Sequence, residues 1–113
     1  MIEWEARSWR REIEESDGAL ALFVYTPLCG TCALARRMLE VAEASLTGIR
    51  IASANINLMP GLAEAFQIES VPCLLLRRPD GSWNKVYRFG SVVEVRARLI
   101  ESFRGEENDH DRT

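Results

Sequence analysis

The chain has 113 residues, of which 47% are apolar, and this length suits one domain with a single buried core. The formal net charge of −3 argues against the basic surface that nucleic-acid binding requires. The N-terminal residues lack a basic stretch followed by an apolar one, and no apolar run reaches the roughly 18–20 residues of a membrane span. We therefore expect a cytoplasmic protein that binds neither nucleic acid nor membrane.

The hydrophobic pattern predicts strands and helices that alternate along the chain. In order, these are an edge strand over residues 1–4, a helix over 8–15, a strand over 20–25, a helix over 29–45, a strand over 49–56, a short helix from Pro60, strands over 73–77 and 84–89, and a final helix over 92–103. The turn sequence Pro79-Asp80-Gly81-Ser82 makes the last two strands an antiparallel hairpin. We predict one domain over 1–105, followed by a short charged tail over 106–113 that we expect to be disordered.

Two cysteines separated by two residues, Cys29-Gly30-Thr31-Cys32, follow the apolar strand over 20–25 and open the next helix. A helix N-terminus carries a partial positive charge and free N–H donors, which favour thiolate over thiol. Cys-X-X-Cys pairs in this position have lowered pKa values. The i, i+3 spacing puts both sulfurs on one helical face, close enough to bridge. The sequence therefore predicts a reactive dithiol at Cys29 and Cys32.

Other chemistries find little support in the sequence. No glycine-rich phosphate loop and no histidine pair with metal-ligand spacing occurs, and the one histidine, His110, lies near the end of the chain. Three cysteines make an odd number, so a purely structural disulfide framework is not expected. In a cytosolic protein, a Cys-X-X-Cys pair is more often catalytic or metal-binding than structural.

Three separated segments together resemble the thioredoxin-like family. They are Thr26-Pro27-Leu28-Cys29-Gly30-Thr31-Cys32, then Ser70-Val71-Pro72, and then Gly90 ahead of the last helix. The resemblance extends over nearly the whole chain, from about Ile2 to Phe103. It implies an α/β thioredoxin fold, with a central mixed sheet of four to five strands in βαβα-ββα order and helices flanking it.

By this resemblance, the protein is a thiol–disulfide oxidoreductase that reduces protein disulfides. Cys29 would attack the substrate disulfide, and Cys32 would then resolve the mixed disulfide. The resemblance also implies a cis peptide bond before Pro72, next to the dithiol, and X-Pro is the linkage at which a cis bond costs least. The backbone of Val71 would then be free to pair with an extended substrate segment.

The chain departs from the family pattern between the cysteines and in the strands beneath them. Most thioredoxins have Gly-Pro between the cysteines, where this chain has Gly30-Thr31, and the Thr31 hydroxyl can hydrogen-bond a sulfur. The buried aspartate that thioredoxins place six residues before the first cysteine is Phe23 here, and its lysine partner is Ser53. Losing both members together avoids an uncompensated buried charge. We expect Cys32 to lose its proton to water rather than to a carboxylate.

The resemblance also places an apolar lip around the dithiol, formed by Leu28, Val71, Gly90 and Ser91. Such a lip would dock polypeptides that contain a disulfide. We expect electrons to come from a reductase or from a low-molecular-weight thiol, so that the protein takes part in electron transport. No bound cofactor or metal is needed for this exchange, and we expect a monomer.

Cys73 directly follows Pro72, where the family more often has threonine, and would lie near Cys29 in space. It is either a small strand residue in a semi-apolar niche or a third redox thiol. A different class of function is also open, in which Cys29, Cys32 and Cys73 hold a soft metal, an iron–sulfur cluster or a partner protein. That metal site lacks an obvious fourth protein ligand.

Overall fold

The computed structural model describes residues 1–105. Its elements are β1 Ile2–Glu3, α1 Trp9–Glu15, β2 Leu20–Tyr25, α2 Gly30–Ala44, β3 Ile51–Asn55, a 3₁₀ turn Ile56–Leu58, α3 Leu62–Phe66, β4 Cys73–Arg77, β5 Trp83–Val86 and α4 Val92–Arg104. The predicted order of strands and helices is therefore confirmed. The tail predicted over 106–113 lies outside the described residues.

The five strands form one mixed sheet in the order β1-β3-β2-β4-β5. β1 pairs with β3 and β3 with β2 in parallel, whereas β4 is antiparallel to both β2 and β5. This is the α/β thioredoxin fold that the sequence analysis expects, with five strands in its mixed sheet.

The central strands are almost continuously apolar, as is typical of strands that are covered on both faces, and helices cover both faces of this sheet. α2 and α4 cover one face, where Phe23 and Leu74 pack against Leu39 and Leu99. α1 and α3 cover the other, where Leu22 and the remaining alternate strand residues pack against Trp9 and Leu62. Successive residues of β2 and β4 therefore point into different cores, as strand geometry requires.

The strand predicted over 84–89 is shorter in the structure, since β5 ends at Val86. Leu74 is paired with Val86, so the same register would bring Arg88 opposite Pro72, which has no N–H to donate. The chain then leaves the sheet, and Phe89 turns into the core beneath α2 and α4, where it is 7% exposed. The strand predicted over 49–56 is likewise shorter, because Ile56 opens the 3₁₀ turn.

Three features meet at one end of the sheet as a result of this topology. β2 ends there and leads into α2, and β4 begins there because it runs antiparallel to β2. α4 also begins there, with the Ser91 hydroxyl accepting the Glu94 N–H at 3.1 Å as its predicted cap. Among residues 1–105, no helix combines the length and apolar character that crossing a membrane would take.

Candidate active site

Cys29 caps the N-terminus of α2 with its own sulfur. Its backbone is extended (φ −142°, ψ 110°), and α2 begins at the next residue, Gly30. The Cys32 N–H donates to the Cys29 sulfur at 3.2 Å. A sulfur in this position faces the free N–H groups and the positive end of the helix dipole, both of which stabilise a thiolate.

The structure brings Cys29 and Cys32 together as the spacing predicts. Their sulfurs lie within disulfide-bonding distance, and their Cα atoms are 5.2 Å apart. Cys29 is half-buried, whereas Cys32 is only 3% exposed and packs in the core beneath α2. An incoming group therefore has much freer access to Cys29 than to Cys32.

Thr31 adds a second polar contact to the outer sulfur. Its hydroxyl oxygen lies 3.4 Å from the Cys29 sulfur, and both atoms face solvent. When Cys29 is a thiolate, the hydroxyl can act as the donor and lower the energy of the charged form. The sequence indicated that the Thr31 hydroxyl can hydrogen-bond a sulfur, and the structure identifies that sulfur as the one of Cys29.

Pro72 and Gly90 share one groove with Thr31 of the Cys29–Cys32 segment, at the end of the sheet where α2 begins. The Val71–Pro72 peptide bond is cis, and extending the β2–β4 register brings Pro72 opposite Tyr25. Within residues 1–105, Val71 makes no backbone hydrogen bond.

A shallow apolar groove of about 390 Å³ runs along this side of the dithiol. Its lining consists of Thr31, Leu34, Ala35, Met38, Pro72, Tyr87, Phe89 and Gly90. Leu28, which was predicted as part of the lip, is fully exposed on the loop before Cys29 and is not among these lining residues.

The floor beneath the dithiol is uncharged. Phe23 is completely buried in the same core as Cys32, and the neighbouring Ser53 on β3 is 1% exposed. The Ser53 hydroxyl donates to a carboxylate oxygen of Glu3 at 2.6 Å, and the Tyr25 hydroxyl donates to the other at 2.9 Å. A carboxylate is thus present near the site, but it enters from the edge strand and is already hydrogen-bonded.

No pattern in the sequence predicted this Glu3–Tyr25–Ser53 network. Burial raises the pKa of Tyr25, and the hydrogen bond to Glu3 and its negative charge raise it further. The only signal in the sequence was the position of Glu3 on an edge strand. Its partner Ser53 is fixed by the parallel register of β1 and β3, which no local pattern specifies.

We expected Cys73 to lie near Cys29, and the structure places it on the other face of the sheet. Cys73 is fully buried in the core under α1 and α3, on the opposite face of the sheet from Cys32. Cys73 is paired with Val24 on β2, and residues paired across two strands point to the same face of the sheet. Val24 and Phe23 are consecutive and point to opposite faces, so Cys73 points away from the core that contains Phe23 and Cys32. Burial raises the pKa of the Cys73 thiol to about 11, although Tyr87 and Lys85 oppose this.

This placement also removes the three-cysteine metal site. Within residues 1–105, no three histidine, cysteine, aspartate or glutamate side chains are grouped so that they could hold a metal ion. His110 lies outside the described residues. Cys29 and Cys32 remain as the two cysteines of the site, at disulfide-bonding distance from each other.

Comparison with known proteins agrees with this geometry. The sequence model of the thioredoxin family matches residues 1–96. A Bacillus subtilis protein described as thioredoxin-like protein YusE is 43% identical over 76 residues, covering 67% of this chain and 72% of that protein.

Solved structures of thioredoxins superpose on the same fold. Chloroplastic thioredoxin z is 16% identical with a TM-score of 0.77, covering 89% of this chain and 92% of its own. A mutant thioredoxin from Halobacterium salinarum, also 16% identical, has a TM-score of 0.74 and coverages of 89% and 88%. Oxidised mitochondrial thioredoxin 3 from Saccharomyces cerevisiae is 15% identical with a TM-score of 0.73 and coverages of 89% and 94%. At these identities the superpositions establish the fold alone.

Replacing the Thr31 hydroxyl tests its contact with Cys29. We expect Thr31→Val to raise the Cys29 pKa by roughly half to one unit, because a hydrogen bond to the thiolate contributes about 1 kcal/mol. The reduction potential of the Cys29–Cys32 disulfide should fall by on the order of 20 mV, because the reduced form loses that stabilisation. Thiolate absorbance against pH measures the first effect. Thr47→Val, in the loop after α2, is the control, and equal pKa values in both variants would contradict the contact.

Cys73 should be chemically silent in the folded, reduced protein. With its pKa raised by burial to about 11, it holds about a hundred-fold less thiolate near neutral pH than an ordinary thiol with a pKa of 9.0. We expect iodoacetamide to label Cys29 first and Cys73 only after unfolding in urea, as peptide mass mapping would show. Labelling of Cys73 at the rate of Cys29 would disprove its burial.

Removing the Glu3 carboxylate should affect both of its hydrogen-bond partners. Glu3→Ala leaves the buried Ser53 hydroxyl without its acceptor, so we expect the free energy of unfolding to fall by about 1 kcal/mol. The Tyr25 pKa should fall as well, because the hydrogen bond to Glu3 and the Glu3 charge no longer raise it and only burial still does. Ultraviolet pH titration in a Tyr87→Phe background isolates Tyr25, the other of the two tyrosines. Glu5→Ala is the matched control, and an unchanged Tyr25 pKa would refute the network.

Proposed function

The chain belongs to the thioredoxin family, and on that premise we propose that it reduces disulfides in polypeptides through the Cys29–Cys32 dithiol. The observation that carries the proposal is the unequal exposure of two sulfurs at disulfide distance, the outer one capping a helix N-terminus. A pair of structural cysteines needs neither the difference in access nor the thiolate-stabilising contacts.

The reaction proceeds in two exchanges. The Cys29 thiolate attacks one sulfur of the substrate disulfide, a Cys29–substrate disulfide forms, and the second substrate sulfur leaves as a thiolate. Cys32 then loses its proton, attacks the Cys29 sulfur and releases the first substrate sulfur. The substrate gains two electrons and becomes a dithiol, while the protein becomes the Cys29–Cys32 disulfide.

The surroundings of the dithiol support these roles. The helix N-terminus and the Thr31 hydroxyl both stabilise the attacking Cys29 thiolate. Cys32 is shielded from large molecules but lies beside Cys29, so its attack is intramolecular and fast relative to competing thiols. Phe23 and Ser53 offer no carboxylate at the floor, and water takes the Cys32 proton.

The substrate lies across the apolar groove beside Pro72 and Gly90. Leu34 is 57% exposed there, which suits apolar substrate side chains. The backbone groups of Val71 pair with the extended substrate segment, as in strand addition. These contacts bring a substrate sulfur to Cys29 without requiring a particular sequence.

The rest of the cycle follows from the family. A reductase or a low-molecular-weight thiol returns two electrons to the Cys29–Cys32 disulfide, and the protein acts as a monomer in the cytoplasm. The described residues form one domain, which includes both cysteines and both sides of the substrate groove.

Trapping the mixed disulfide tests the mechanism directly. Incubation of reduced Cys32→Ser protein with a disulfide-bonded peptide should accumulate a covalent adduct at Cys29, because the resolving thiol is gone. Cys29→Ser should form no adduct and lose turnover. Mass spectrometry of the intact protein and of its peptides identifies the bridged residues.

The control is Cys73→Ala, which removes the remaining cysteine from the opposite core and should keep turnover. The proposed function fails if Cys32→Ser forms no adduct, or if Cys29→Ser still reduces the peptide. An adduct at Cys73 would assign the chemistry to the opposite face of the sheet and overturn the roles of Cys29 and Cys32.

A further inference from the structure

A second groove, of about 270 Å³, lies on the other side of the dithiol. Both cysteines open onto it, and its remaining walls are residues 25–27, Ala33, Arg36 and Arg37. The groove beside Pro72 has no charged side chain in its lining, whereas this one has two arginines. A polypeptide that crosses the dithiol therefore meets an apolar surface on one side and a basic surface on the other.

Arg36 is held in place by the Glu3–Tyr25–Ser53 network described above. Its guanidinium carbon lies 4.7 Å from the centre of the Tyr25 ring, and its terminal nitrogen is 3.9 Å from a Glu3 carboxylate oxygen. Glu3 in turn is fixed by Tyr25 and Ser53. Arg36 thus forms a fixed wall, with much of its charge balanced by Glu3.

Arg37 has no such balance. It is exposed, and no carboxylate of residues 1–105 forms an ion pair with it. Although the whole chain has a formal net charge of −3, Arg37 adds to this groove a positive charge that has no ion-pair partner among residues 1–105, in a lining that also includes both sulfur-bearing residues. Opposite charges across an interface steer encounter and select partners more than they add affinity.

We propose that this basic groove selects polypeptide substrates with an aspartate or glutamate close to the disulfide cysteine. The proposal rests on the proposed function, because it names the class of substrate on which the dithiol acts. A polypeptide is the occupant that contacts both grooves at once, with its apolar side chains beside Pro72 and its carboxylate beside Arg37.

The spacing of the acidic residue follows from helix and strand geometry. Arg37 comes eight residues after Cys29, the cysteine to which the substrate bonds, or about 12 Å along α2 at 1.5 Å per residue. An extended peptide advances about 3.4 Å per residue, so roughly three to four residues cover the same distance. An acidic side chain about three positions from the substrate cysteine would therefore reach Arg37.

The test uses two disulfide-bonded peptides that differ only in charge. One has glutamate three residues before and three residues after the cysteine, and the other has glutamine there. The readout is the ratio of kcat/KM for the glutamate peptide to that for the glutamine peptide. For the unmodified chain we expect a ratio of about two to five at low salt, which is the range for an exposed ion pair. High salt should reduce it towards one.

Arg37→Ala should bring this ratio close to one, and Arg37→Glu should invert it. A third peptide with lysine at the same positions should then become the preferred substrate of Arg37→Glu. Arg50→Ala is the matched control, because Arg50 is an exposed arginine at the opposite end of the sheet, just before β3. It should keep the ratio of the unmodified chain.

Each other result overturns the proposal. If Arg37→Ala reduces both peptides with an unchanged ratio, the groove does not select acidic substrates, while the proposed function stands. If the charge effect appears only with oxidised glutathione and with neither peptide, the groove serves small carboxylate-bearing disulfides instead. If the unmodified chain reduces no peptide, the proposed function fails together with this inference.

Discussion

The hydrogen bond from the Cys32 N–H to the Cys29 sulfur ties the chemistry of the site to the start of α2. It makes the attacking group the cap of its own helix, so the sulfur is fixed and electrostatically stabilised by the same contact. This holds only while α2 is firmly seated on the sheet. Ala35, Leu39 and Ala42 seat it, since each is at most 3% exposed in the core that Phe23 and Leu74 share.

The sheet then distributes different surfaces around that fixed point. Because β4 is antiparallel to β2 and β5 is antiparallel to β4, β4 begins and β5 ends at this same end of the sheet, which puts Pro72 and Gly90 on one side of α2. On the other side, the Tyr25 ring and Arg36 form a polar wall supported by the edge strand. One dithiol therefore has an apolar approach and a basic approach, which is the basis for both substrate proposals.

Much of this could be predicted from the sequence, because the informative signals are local. The spacing of Cys29 and Cys32 at the start of a helix predicted that their sulfurs could bridge. Short continuous apolar runs predicted the central strands, and Ser91 predicted the start of α4. The side of the sheet on which Cys73 lies could not be predicted, since it depends on the pairing of β4 with β2. Glu3 was missed for the same reason, because its contact with Ser53 spans fifty residues.

The measurement that tests this account most directly is a redox titration in defined thiol–disulfide buffers. Alkylation and mass spectrometry then report the oxidation state of each of the three cysteines at each buffer potential. We predict one two-electron transition, assigned to the Cys29–Cys32 disulfide, at a potential below about −200 mV, as for a protein that reduces disulfides. Cys73 should stay a thiol throughout. A potential near about −120 mV would instead indicate an oxidant. The absence of a Cys29–Cys32 disulfide, or one that includes Cys73, would contradict the account at its centre.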